Sequence, residues 1–461
     1  MRTEKDSMGE MQVPEQALYG ASTQRAVLNF NVSKRRFSLE FIKALALVKK
    51  SAALANLELG LLTKETADLI CQVTNEILEG QHYDQFVVDL FQTGSGTSTN
   101  MNANEVIANR AIQILGGKLG DKSSVHPNDH VNMSQSSNDV IPTSIHVALA
   151  LSVSKSLLPA LDKLAAALGQ KSKEFANVIK SGRTHLQDAT PITLGQEFSG
   201  YEAQILHNIV RIKNSLANIL DLALGGTAVG TGINTHPEFA DRAIAHLNKL
   251  TSLKFKQASN HFAAQASMDS VVEMSGQFKT LSCSLIKIAN DIRWLAAGPR
   301  CSLAELRLPE IQPGSSIMPG KVNPVICESV MMVSAQVIGN DACVTISGQH
   351  GNFELNTMLP VIADNILESA ALLAGVSGNF VDRCIVGITA DEERCREYAE
   401  ASLATCTSLA PVIGYDQAAQ LAKQALKEKK KIKELLIEQK ILSDDQVEKT
   451  MDLMAMTRPG V

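Results

Sequence analysis

Val271-Val-Glu-Met-Ser-Gly-Gln-Phe-Lys-Thr-Leu-Ser-Cys-Ser-Leu-Ile-Lys-Ile-Ala-Asn-Asp-Ile-Arg-Trp-Leu295 decides how this chain folds. Val271, Met274, Phe278, Leu281, Leu285, Ile288, Ile292 and Leu295 recur at alternating steps of three and four. On a 3.6-residue helix that spacing draws one apolar stripe, the seam of a bundle or coiled coil. Gly298-Pro299 stops the run. If the helix starts at Asn260, the rod is ~55 Å long at about 1.5 Å per residue. Leu285-Ile286 and Ile288-Ala289 put apolar groups on neighbouring faces as well. Such a helix is covered on more than one side, which implies packing against another subunit.

The texture repeats on either side. Leu157, Leu161, Leu164 and Leu168 mark a helix from Pro142 to about Lys173. Leu194, Phe198, Tyr201, Ile205, Ile212, Leu216 and Ile219 mark another, starting at Pro191 behind Thr190 and ending near Gly225-Gly226. Further helices are expected from Pro324 to Gly348, from Leu359 to about Gly375, from Leu39 to Gly60, and after a cap at Thr63. Residues 1–40 read as a largely irregular arm, with turn signals at Met8-Gly9 and Tyr19-Gly20 and a solvated basic cluster Lys34-Arg35-Arg36. There is no strand–helix alternation and no Gly-x-Gly-x-x-Gly, so a nucleotide-binding Rossmann fold is excluded. The expected fold is all-α, with an N-terminal helical domain (1–136), a central long-helix bundle (137–390) and a small C-terminal helical domain (391–461).

Composition agrees with aliphatic helix packing, since only 4% of the 461 residues are aromatic. A net charge of −5 argues against a nucleic-acid binder, so an anionic ligand must find local positive charge. The eight cysteines are scattered without a Cys-x-x-Cys pair and read as reduced thiols. The charged start Met-Arg-Thr-Glu-Lys-Asp-Ser lacks the apolar centre of a signal peptide, and no apolar run reaches membrane-spanning length. The expectation is a cytoplasmic protein with no membrane partner. Lys427-Glu-Lys-Lys-Lys-Ile-Lys433 reads as a solvated helix face, because Glu428 and Glu434 interrupt it.

Chemistry concentrates in a few polar clusters. Pro313-Gly-Ser-Ser-Ile-Met-Pro-Gly-Lys-Val-Asn-Pro324 cannot continue a helix. It offers the hydroxyls of Ser315 and Ser316, the charge of Lys321 and the amide of Asn323, a composition suited to closing over a small anion. Taken alone, such a loop also serves as an ordinary connector. Thr93-Gly-Ser-Gly-Thr97 precedes a helix whose free N–H groups, with Ser95 and Thr97, suit a carboxylate. His126-Pro-Asn-Asp129 and Ser134-Gln-Ser-Ser-Asn-Asp139 are richer in polar groups than capping requires, and Ser136, Ser137 and Asn138 fall where a helix dipole favours an anion. Gly182-Arg-Thr-His185 adds Thr184 and His185, and Glu328 lies on the first turns of the helix leaving the Gly/Pro loop. Of ten histidines, only His126 and His185 sit in dense polar clusters. No His-Glu-x-x-His, no cysteine ligand spacing and no Gly-x-Ser-x-Gly occur, so neither a metal, a cofactor nor a hydrolase triad is expected.

These clusters, in this order, resemble the fumarase/aspartase superfamily and within it the class II fumarases. The match rests on 93–97, 126–129, 136–139, 182–185 and 314–324, with Leu224-Gly-Gly-Thr-Ala-Val-Gly-Thr-Gly232 similar to another family segment. The resemblance implies a three-domain all-helical homotetramer, with a shared central bundle and active sites assembled from three subunits. It implies a small dicarboxylate substrate and reversible hydration of fumarate to L-malate through a carbanion (aci-carboxylate) intermediate. By residue, it implies that Ser315 abstracts the proton and that His185, paired with Glu328, handles the departing hydroxyl. It assigns Ser95, Gly96, Thr97, Ser136, Ser137, Asn138, Thr184, Ser316, Lys321, Val322 and Asn323 to substrate binding, and His126, Pro127, Asn128 and Asp129 to a second dicarboxylate site. Met133 and Ser123 depart from residues common in the family, and Val325-Ile326 is a pairing associated with aspartases. Ser136-Ser-Asn138 favours the hydratase over aspartate ammonia-lyase, which typically carries Ser-Thr-Asn. A non-catalytic coiled-coil scaffold would explain the 271–295 stripe but not five ordered polar clusters.

Overall fold

The computed structural model describes residues 1–460. The chain opens with a hairpin of β1 (Arg2–Asp6) and β2 (Gly9–Val13), then α1 (Ala21–Asn29). The expected irregular arm is therefore structured: Asp6 Oδ1 accepts the N–H of Met8 at 2.8 Å, and the Met8-Gly9 turn signal closes a hairpin. Next come α2 (Leu39–Glu58), α3 (Lys64–Leu78), α4 (Thr97–Ile114) and α5 (Ser137–Ser152). Thr63 caps α3 by accepting from the N–H of Thr66. A π-turn at Val153–Leu157 joins α5 to α6 (Leu158–Glu174), so the helix expected from Pro142 begins five residues earlier, behind the Ser136 cap.

An antiparallel pair, β3 (Ile179–Thr184) and β4 (Gln187–Thr193), follows where helix was expected from Pro191. Helix α7 (Leu194–Ile219) starts later because Thr193 and Gln196 cap each other: Gln196 Oε1 accepts from Thr193 N at 2.9 Å and Thr193 Oγ1 from Gln196 N at 3.1 Å. After α8 (Phe239–Thr251) and α9 (His261–Ala266) comes the deciding stretch, α10 (Asp269–Leu295). Every stripe residue from Val271 to Leu295 is buried, with exposures of 0–4%. The rod does not reach back to Asn260. Ser267 is extended and its hydroxyl accepts from Asp269 N at 3.2 Å, which caps a fresh helix. Helix α11 (Val325–Gly348) and α12 (Leu359–Arg383) complete the long helices. Helix α12 passes Gly375 and Gly378 because its apolar stripe continues through Leu373, Val376 and Phe380, all buried.

The chain forms two compact units, one of residues 1–159, 210–282 and 335–374, the other of 160–209, 283–334 and 375–461. The tail, α13 (Glu392–Ala401), α14 (Ala410–Ile413), α15 (Tyr415–Glu428), α16 (Ile432–Glu438) and α17 (Asp444–Thr450), lies wholly in the second. Leu409, Leu421, Ala425, Leu435, Leu436 and Val447 give it a hydrophobic core of its own. All eight cysteines are free thiols.

One expectation is overturned. Helical segments 137–174, 325–348 and 359–387 each hold an 18-residue stretch, of mean hydropathy 1.4, 1.2 and 1.5, long and apolar enough to cross a membrane. Polar and occasional charged residues, such as Glu328, Asn340 and Asp341, break up any continuous apolar run, but the aliphatic residues around them outweigh them in the average.

Candidate active site

In the first unit, two helix N-termini meet. Gly96, φ +72°, precedes α4; a side chain there would collide with Ile141, its Cβ lying 2.9 Å from that side chain. The turn it makes brings Ser95 Oγ to 2.8 Å from Thr97 Oγ1, and Thr97 Oγ1 lies 2.7 Å from Ser137 Oγ, at the start of α5. Three hydroxyls thus form a chain where unpaired helical N–H groups and two helix dipoles favour an anion. Ser136 accepts from Asn138 N, and Asp139 Oδ1 accepts in return from Ser136 N at 2.9 Å, a capping box. Asn138 Nδ2 donates to Ala228 O at 2.8 Å, tying the site to the 224–232 segment.

Beneath it is a polar core that sequence reading missed. Asp139 is fully buried, and its Oδ2 accepts from Gly225 N and Thr227 N, both at 3.0 Å. Burial pushes its carboxyl up to about 6, against the pull of those N–H bonds and of Lys49. Thr227 has φ +53°, a strained backbone for a β-branched residue, held by Asp139 and by Gln265 Nε2 donating to its carbonyl at 2.8 Å. The signal for this core was present: an acid three residues after Ser136, and a lysine amid Leu45, Ala46, Leu47 and Val48.

His126 caps a π-turn, Pro127–Val131, its Nδ1 accepting from Asn128 N at 3.2 Å and Asp129 N at 3.1 Å. Pro127 is buried, whereas Asn128 and Asp129 are exposed.

In the second unit, the Gly/Pro loop closes on itself. Gly314 N donates to Lys321 O at 2.7 Å, and Asn323 Nδ2 donates to Gly314 O at 2.6 Å. A Cβ on Gly314 would lie 2.5 Å from Lys321 O, so only glycine allows this approach. Ser315 Oγ accepts the N–H groups of Ile317 (3.2 Å) and Met318 (3.0 Å). Ser316, Lys321 and Val322 are exposed, and Ile317 is 85% exposed. Glu328, half-buried, stands in the first turn of α11, where a carboxylate complements the dipole.

Thr184 and His185 are on the β3–β4 hairpin, in an exposed tip where both His185 and Leu186 have positive φ, +56° and +59°. Two non-glycine residues in that conformation carry strain of the kind found at functional positions. The hairpin is anchored by Arg183, whose guanidinium donates to both oxygens of Glu305 at 2.7 and 3.0 Å; the Glu305 side chain is completely buried. His185 and Glu328 make no hydrogen bond to each other within the chain, among the described residues. No group of three or more His, Cys, Asp or Glu side chains suited to a metal occurs among the described residues.

The chain is similar to known proteins over nearly its whole length. The family model described as Lyase matches residues 9–339, and that of the Fumarase C C-terminus matches 406–458. The chain is 50% identical over 456 residues to the class II fumarate hydratase of Nitrosomonas europaea, covering 99% of each. It is 51% identical over 460 residues to the mitochondrial fumarate hydratase of Mus musculus, covering 99% of this chain and 90% of that one. The crystal structure of a class II fumarase from Schistosoma mansoni superposes with a TM-score of 0.96 at 41% identity, over 99% of both chains.

Proposed function

The chain belongs to the class II fumarate hydratase family, and we propose that it adds water reversibly to fumarate with Ser315 and His185 as its proton-transfer groups. The product is L-malate and the enzyme is a hydro-lyase. End-to-end similarity to hydratases carries this reading over deamination of aspartate, to which Val325-Ile326 lean.

In the elimination direction, Ser315 takes the proton from the carbon beside one carboxylate. The electron pair spreads into that carboxylate, which becomes an aci-carboxylate with a second negative charge. Lys321, Asn323 and loop N–H groups stabilise it; by analogy with oxyanion holes a donor so placed contributes ~2.7–4 kcal/mol. The two N–H groups that already point at Ser315 Oγ favour its alkoxide in the same way. His185, paired with Glu328, then protonates the departing hydroxyl as the carbon–oxygen bond breaks. Addition of water is the reverse, with the two groups on opposite faces of the substrate. Ser95, Gly96, Thr97, Ser136, Ser137, Asn138, Thr184, Ser316, Val322 and Asn323 hold the two carboxylates, and residues 126–129 form a second dicarboxylate site.

The assembly is a homotetramer in the cytoplasm. Support comes from apolar side chains left exposed on the long helices, including Val210 (55%), Met332 (67%) and Ile346 (57%). Only 33% of the most apolar window of α11 is covered by its own chain. A second copy would cover the rest and bring Glu328 of one subunit to His185 of another.

The direct test offers purified protein L-malate and L-aspartate separately, with a chelator present, and follows the ultraviolet absorbance of fumarate. Fumarate is expected from malate alone, at a rate the chelator leaves unchanged. Fumarate from aspartate but not malate would overturn the assignment.

A further inference from the structure

Lys49, in the middle of α2, is completely buried, yet among the described residues no carboxylate lies at hydrogen-bond distance from it. Its Nζ donates to Asn132 Oδ1 at 2.9 Å and Gln135 Oε1 at 3.0 Å. Burying an ammonium against neutral acceptors is costly, so a fold keeps one only where it does something. The cluster is rich in acceptors: Asn132 Oδ1 also receives Asn100 Nδ2 at 3.1 Å and Asn104 Nδ2 at 3.2 Å, while the side-chain oxygens of Asn100 and Asn104 have no partner. That surplus suits a cation. Burial nevertheless draws the ammonium down to about 7, with the charge of Asp139 opposing.

The position of the cluster indicates what it does. Asn100 and Asn104 lie one and two turns along α4 from Thr97. Asn132 Nδ2 donates to Gln135 O at 3.1 Å, closing the turn that leads straight into the Ser136 cap of α5. Lys49 thus ties α2, through Asn132, to α4 and to the turn that enters α5, the two helices whose N-termini bring Thr97 and Ser137 together. We propose that Lys49 is a positioning residue for dicarboxylate binding, fixing the α4 and α5 N-termini and adding a buried positive charge behind them. The proposal rests on the hydratase reading of the site. Lys49 touches no substrate; it acts through Asn132 and Gln135.

The test measures steady-state kinetics on fumarate, and calorimetric binding of succinate as an unreactive dicarboxylate, for wild type, Lys49→Met, Lys49→Gln and Lys49→Arg. Loss of the charge is expected to raise KM and the succinate Kd about tenfold or more, with kcat changed less than about threefold. Lys49→Arg should recover a substantial part of that affinity. A purely structural lysine would lower the melting temperature of the Met and Gln variants while KM and Kd stay within twofold of wild type, and that result overturns the proposal. Should Lys49→Met fail to fold, Lys49→Gln, which keeps a donor for Asn132, decides by the same criterion. A wild type that does not interconvert fumarate and malate sinks the hydratase reading instead; an active wild type with unaltered variants sinks only the role of Lys49.

Discussion

Ser315 Oγ lies 3.0 Å from the backbone nitrogen of Met318 and accepts its N–H, with the N–H of Ile317 converging on the same oxygen. A serine hydroxyl is a poor base in water, and two fixed donors aimed at its oxygen stabilise the deprotonated form. Ser315→Ala keeps the Gly314–Lys321 and Asn323–Gly314 closures, which do not involve the hydroxyl. Turnover is expected to fall on the order of 10²–10⁴-fold, the usual loss of a proton-transfer group, with succinate binding within a few-fold of wild type. Near-normal kcat in this variant removes Ser315 from the chemistry.

Among the described residues His185 and Glu328 are not hydrogen-bonded to each other within one chain, which makes the shared site testable by mixing. Glu328→Gln and His185→Asn should each be nearly inactive as homogeneous assemblies. Unfolded together and refolded at equal amounts, they form hybrids in which about a quarter of sites draw both wild-type residues from different subunits. Activity should return toward that fraction. If the mixture stays as inactive as its parents, the two residues do not meet across subunits.

The long helices were legible because burial on a helix leaves a periodic trace: all eight stripe residues of α10 are buried. What escaped depends on short-range chemistry that outweighs periodicity. The α10 rod breaks at Ser267 because one hydroxyl recaps the chain, and β4 takes in Pro191 because the Thr193–Gln196 pair sets the helix start three residues later. The hydroxyls of Ser95, Thr97 and Ser137 were visible in the sequence from their place at helix starts; that they form one chain was not. Lys49 and Asp139 left only a local trace, a lysine in an apolar run and an acid three residues after Ser136, because their roles come from contacts between segments far apart in sequence.

The Arg183–Glu305 pair holds the hairpin that presents His185, and it separates positioning from stability. Arg183→Met leaves the fully buried Glu305 carboxylate without its partner, which costs roughly 3–5 kcal/mol. Replacing both by methionine removes the orphan charge and should restore most of that loss in urea unfolding. Activity should remain low in the double variant, because the His185 tip has lost its bidentate anchor. Full recovery of kcat along with stability would show the pair to be structural only.

Asp139 predicts a pH dependence whose sign can be worked out. Its folded carboxyl is raised from 3.8 to about 6, chiefly by burial, so between those values the folded protein holds a proton that the unfolded chain releases. The resulting stabilisation is complete below about 4 and is lost as pH rises through 6, a change on the order of 2–3 kcal/mol. Other acids work in the opposite direction: Asp6, Glu76 and Asp391 are held below their ordinary values by hydrogen bonds from arginines, and they lose stabilisation as pH falls. The measurement is therefore a difference. Asp139→Asn cannot titrate, and its amide group meets the N–H groups of Gly225 and Thr227 or of Ser136 with a donor of its own, so it should be less stable throughout. Its deficit against wild type, followed by urea unfolding at fixed protein concentration, should be largest near pH 4 and should shrink as pH approaches 7. A deficit that stays constant across that range would mean that Asp139 does not titrate there in the folded protein.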